Sequence, residues 1–107
     1  MTESRQKLII LQENIQSLYQ NSRLEEAEEL SLSFVEQFPS NPFGWKVLGG
    51  IYQQTDRVLD ALNVCKKVIA IDPLDAAAHN NFGLMLGELG RLEESEASYR
   101  KAIEIKP

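Results

Sequence analysis

A single cysteine, Cys65, and a single histidine, His79, stand in this 107-residue sequence. One cysteine excludes an internal disulfide framework and fits a reducing compartment, so a cytoplasmic location is expected. A lone histidine with no second His, Cys or carboxylate at ligand spacing gives no metal centre and no catalytic constellation. No cofactor and no enzymatic activity are therefore expected of these residues alone. Long apolar runs are missing as well. The N-terminal run Leu8 to Leu11 is too short for a signal-peptide core or a membrane span. Clustered cations are absent too: 11 Lys and Arg against 16 Asp and Glu give a formal charge of −5 and a pI near 4.8. That balance disfavours nucleic acid and anionic membrane as partners. Gly49-Gly50 follows no strand and opens no phosphate-binding helix, which excludes a phosphate loop. Strand-like alternation is absent, so the expected fold is all-α.

What the chain does have is a period. Pro39, Pro73 and Pro107 lie 34 residues apart, and each closes a similar segment. Arg23-Leu24-Glu25-Glu26-Ala27, Arg57-Val58-Leu59-Asp60-Ala61 and Arg91-Leu92-Glu93-Glu94-Ser95 recur at one offset. Acids in a first helical turn complement the partial positive charge of the helix N-terminus. The small residues Ala27, Ala61 and Ser95 suit close helix crossings. Asn41 ahead of Pro42, and Asp75 ahead of Ala76, provide helix-capping side chains, and Gly90 can end a helix in the left-handed conformation. Phe82, Met85, Leu86 and Leu89 form one apolar helical face, and Val58, Leu62, Cys65, Val68 and Ile69 form another. Six helices are expected at about 3–20, 24–37, 42–54, 58–71, 76–88 and 92–105. They make three hairpins, 8–39, 42–73 and 76–107, in a single domain 8–107, with 1–7 a leader that forms part of the first helix.

The 34-residue period and the punctuation resemble the tetratricopeptide repeat (TPR). Trp45, Leu48-Gly49, Tyr52, Ala61 and Pro73 of the middle repeat fall at the family's offsets, as do Gly83, Gly90, Tyr99, Ala102 and Pro107 of the third. The first repeat keeps Leu11, Leu18, Ala27 and Pro39 but lacks the Gly that permits close helix approach. His79, Phe82, Leu86 and Cys65 replace the family's aromatic, Leu, Tyr and aromatic respectively. The resemblance implies a right-handed α-solenoid of three helix–turn–helix hairpins, with the first helix of each lining a concave face that holds partner proteins. Ala78-His79-Asn80-Asn81-Phe82-Gly83 is further similar to the repeats ahead of O-linked N-acetylglucosamine transferase domains and related bacterial transferases. Of their asparagine ladder only Asn81 is present, since Glu13 and Val47 hold the equivalent places. The family's clamp for a C-terminal carboxylate is not expected, because its positions hold Gln12, Gln16, Val47, Ala77 and Asn81.

Helical geometry then nominates the groove. The candidates are Gln12, Gln16, Tyr19, Phe43, Lys46, Gln53, Asn80, Asn81, Leu84 and Glu88. Amides dominate this surface, and an amide can pair with both the C=O and the N–H of an extended peptide. Phe43 and Tyr19 are candidate anchors, although either could close a helix–helix contact. Cys65 and Trp45 read as packing residues, and Glu25, Glu26, Glu28 and Glu29 as a solvated outer face. The last hairpin is expected to expose Tyr99, Ala102 and Ile103, which marks either a fragment of a longer protein or a homodimer contact. The expected function is a scaffold that binds an extended segment of another protein. The alternatives are the substrate-presenting front of a larger glycosyl-, sulfo- or methyltransferase, and a self-association element.

Overall fold

A computed structural model describes residues 2–107, and they form six α-helices: α1 Glu3–Gln20, α2 Leu24–Gln37, α3 Pro42–Gln54, α4 Val58–Ile71, α5 Ala76–Glu88 and α6 Leu92–Ile105. All six bounds fall where the sequence punctuation puts them, and no strand occurs among the described residues. Thr2, Asn41 and Asp75 cap the first helix of each hairpin, accepting from the N–H groups of Arg5, Phe43 and Ala78 at 3.3, 2.9 and 3.0 Å. These side chains satisfy donors that a helix start would otherwise leave unpaired.

The turn inside each hairpin is built the same way three times. The N–H groups of Arg23, Arg57 and Arg91 reach back to the carbonyls of Leu18, Tyr52 and Leu86 at 2.9, 2.8 and 2.9 Å. The residue before each arginine turns left-handed: Ser22 (φ 59°), Asp56 (φ 58°) and Gly90 (φ 76°). Together these are Schellman ends, for which glycine is the unstrained choice. Only Gly90 was legible as such. Each arginine then opens the second helix and pairs with an acid three residues on, as Arg23 does with Glu26 at 2.7 Å and Arg57 with Asp60 at 3.1 Å.

Packing is by nearest neighbours along the chain. Each helix touches the next, with α5 on α6 and α3 on α4 the most extensive contacts and α1 on α2 the least. The radius of gyration is 14.6 Å, above the roughly 13 Å of a compact chain this long, as a stack of hairpins requires. The core runs through the stack as Ile15, Phe34, Leu48, Ile51 and Leu86, all at most 1% exposed. Ala27, Ala61 and Ser95 are buried at the hairpin crossings. Phe34, Phe38 and Phe43 meet at the first inter-hairpin junction, with ring centroids 5.2 and 5.3 Å apart.

Two readings of the surface change. The acidic run on α2 is not simply solvated, because Glu26 pairs with Arg23 and Glu28 with Arg57 of the next hairpin at 2.8 Å. Arg57, which also lies over the Tyr52 ring of its own hairpin at 4.3 Å, thus ties two hairpins together through Glu28. On the last hairpin, the expected exposed set splits. Ala102 is buried beside α5, and Tyr99 is half-buried with its ring against Gly83, whereas Ile103 stays 63% exposed.

Candidate peptide groove

The first helices of the three hairpins leave two depressions between them, and the nominated residues divide between these. Gln12, Gln16 and Phe43 line a shallow one between α1 and α3, with Glu13, Ser17 and Gln20. Lys46, Gln53 and Asn81 line a deeper one between α3 and α5, floored by Val64, Cys65 and Val68 of α4 together with Met85. Its cavity measures about 250 Å³. A ridge separates the two: the Tyr19 hydroxyl accepts from Gln54 Nε2 at 2.8 Å. A Cβ on Gly50 would collide with that hydroxyl, so glycine there is what lets α1 reach α3. Tyr19 is thus a helix–helix strut, and the half-buried Phe43 packs its ring edge on Phe34.

The remaining candidates scatter. Asn80 faces a different hollow, shared with Leu74, Ala102 and Ile103. Leu84 (46% exposed) and Glu88 stand further along α5 in solvent. Lys46 is not a free cation, since its Nζ lies 2.9 Å from the Asp75 carboxylate, the N-cap of α5. Burial alone would raise the Asp75 carboxyl, but the Lys46 ammonium and the Ala78 and Ala77 N–H groups outweigh it and hold the pKa below the ordinary carboxylate value. Sequence reasoning missed this pair, because its members lie on different helices and follow no helical spacing.

The deep groove is chemically quiet. Burial, with Asp75 adding to it, pushes the Cys65 thiol up to about 11, and its Sγ–H donates to the Ala78 carbonyl at 3.2 Å. The thiolate is therefore negligible at neutral pH. Trp45 Nε1–H donates to the Pro39 carbonyl, and His79 Nε2 contacts the Pro73 carbonyl, both at 2.9 Å. The imidazole thus occupies the place of the indole one repeat on, with Nε2 as its donor, which explains a histidine at an aromatic position. Among the described residues, no group of three or more His, Cys, Asp or Glu could hold a metal ion, and no helix is long and apolar enough to cross a membrane.

Comparison with known proteins matches this architecture. Residues 76–107 fit the family model of the tetratricopeptide repeat. The first TPR of Spaghetti (RPAP3), solved bound to the HSP90 peptide SRMEEVD, has a TM-score of 0.86 and 22% identity over 95% of this chain and 81% of that one. MamA gives 0.85 and 22% over 94% of this chain and 58% of its own. A mutant of the Thermobaculum terrenum O-GlcNAc transferase gives 0.85 and 20% over all of this chain and 21% of that one. No curated protein sequence matches the chain. Residues 76–107 are therefore a tetratricopeptide repeat, and the chain as a whole has the fold of the tetratricopeptide-repeat solenoids it resembles. It spans a little over half of MamA and about a fifth of the transferase.

Proposed function

We propose that this chain is a protein-interaction scaffold that binds an extended segment of a partner protein in the groove between α3 and α5. The observation that carries the reading is the pairing of Gln53 and Asn81 over an apolar floor. Two amides can match a peptide backbone, and the floor can bury a side chain. Among the described residues Lys46 is the one cation lining this groove, and it is engaged by Asp75, so a partner's terminal carboxylate gains little there. The test is capture of a partner from extract of the source cells by wild type and by a Gln53→Ala/Asn81→Ala variant that melts like wild type. A partner held by wild type and lost by the variant supports the groove; one retained equally by both contradicts it.

Self-association is a second reading, favoured by Ile103. Val35, at the same position of the first hairpin, is 8% exposed beneath α3, whereas Ile103 is 63% exposed. Molar mass that rises with concentration and collapses on Ile103→Glu would support it, and an invariant monomer would end it. The substrate-presenting reading draws on the transferase neighbour, whose own chain is about five times longer than the matched part. A donor-binding domain encoded in the same gene would favour it.

A further inference from the structure

One pair of positions, 34 residues apart in successive hairpins, distributes its volume differently each time. In the first hairpin the two positions hold a large residue and a small one, Ile15 and Ser31, and both are 0% exposed. In the third the order is reversed, Gly83 with Tyr99, and a Cβ on Gly83 would meet the tyrosine ring at 3.1 Å. In the middle hairpin both are small, Gly49 with Cys65, and the only atom near a Cβ on Gly49 is Val64 Cγ2 at 3.5 Å. Gly49 and Cys65 both line the 250 Å³ cavity between α3 and α5. The middle hairpin thus lacks, at this register, the large side chain that Ile15 or Tyr99 supplies in the flanking hairpins, and the cavity opens beside it.

Resting on the groove reading above, we infer that this cavity is a pocket for one aromatic side chain, Tyr or Phe, of the bound segment. Its ring would lie beside Gly49 as the ring of Tyr99 lies beside Gly83. Size and chemistry both fit. A cavity of about 150 Å³ already accommodates benzene, and this one is larger. Met85 supplies a thioether that favours ring contacts, and Val64 and Val68 supply apolar walls. The pairing of Lys46 with Asp75 leaves no net charge to draw a charged side chain in. The thiol of Cys65, donating to Ala78 O, is an inert floor.

The test titrates blocked pentapeptides, acetyl-Gly-Ser-X-Ser-Gly-amide with X = Tyr, Phe or Ala, into the ¹⁵N-labelled chain. The Tyr and Phe peptides should bind about tenfold or more tighter than the Ala peptide and shift the amides of Gly49, Cys65 and Met85. Two variants copy the chain's own solutions: Cys65→Tyr reproduces the third hairpin's pair and Gly49→Ile the first's. Either should abolish the aromatic preference while the Gln53 and Asn81 side-chain signals still respond to peptide. Equal binding of Tyr and Ala peptides, with Gln53 and Asn81 shifting, would overturn the pocket and leave the groove reading intact. Retention of the preference in a folded variant would also overturn it. No shift at any groove residue with any peptide would overturn both. The wild-type series decides the matter even if neither variant folds.

Discussion

The first and third hairpins share a register but solve helix approach in opposite ways. In the third, Gly83 lets α5 and α6 meet closely, and Ser95 Oγ donates to the Gly83 carbonyl at 2.6 Å in the buried crossing. In the first, Ile15 takes the glycine's place, α1 and α2 touch less, and the Ser31 hydroxyl is fully buried with no hydrogen-bond partner. An unpaired buried hydroxyl costs about 1–3 kcal/mol. One backbone period is thus compatible with either hand of a large–small pair, but in the first hairpin the small partner, Ser31, is left with an unpaired hydroxyl. The first hairpin should be the less stable, and neighbour coupling should make it the first to open.

The sharpest way to break this comparison is to remove its volume. Ile15→Ala should lower stability by about 2–5 kcal/mol, because a fully buried isoleucine leaves a cavity; urea unfolding reads the loss directly. Gly83→Ala should cost roughly 1–3 kcal/mol despite alanine's better helix propensity, since the methyl meets the Ser95 carbonyl oxygen at 3.1 Å. A gain in melting temperature there would refute the close-approach account. Ser31→Ala should instead stabilise by about 1 kcal/mol, as it deletes the orphan hydroxyl and adds helix propensity. A loss would mean that the hydroxyl has a partner.

Smaller effects test the turns and the groove wall. Asp56→Gly should stabilise by a few tenths of a kcal/mol up to about 1, since φ 58° strains any side chain that glycine lacks. Glycine's extra unfolded-state freedom opposes the gain, which keeps it small. The Lys46–Asp75 pair should contribute well under about 1 kcal/mol, because Lys46 is 53% exposed. Its pH signature has a definite sign. The folded Asp75 pKa lies below its ordinary value, so the contribution is present above about pH 4 and is lost as pH falls through the lower folded value. Lys46→Met should move the acid limb of a stability–pH profile to higher pH.

Helix bounds were fully legible because capping residues, prolines and Gly90 act locally. The left-handed turns at Ser22 and Asp56 were not read from the sequence, since neither residue type demands that conformation as Gly90 invites it. The groove was legible in part. Gln53 and Asn81 do share the α3–α5 cavity, but Asn80, Leu84 and Glu88 do not line it. Helical spacing gives the face of one helix but not its distance from the next. Tyr19 and Phe43 project as anchors would, yet their contacts come from Gln54 and Phe34, on other helices. The cavity itself was hidden in a volume comparison across repeats, where Cys65 alone reads as an ordinary small core residue.

The most direct test of the central claim is site-specific photo-crosslinking in extract of the source cells, with a benzophenone amino acid placed in turn at Asn81, Gln53 and Leu59. Leu59 is 65% exposed on α4 and does not line the groove. One extended segment of one protein, crosslinked from Asn81 and Gln53 and not from Leu59, is the predicted result. Equal crosslinking from Leu59, or none from the two groove positions while a partner is still captured, would contradict the account.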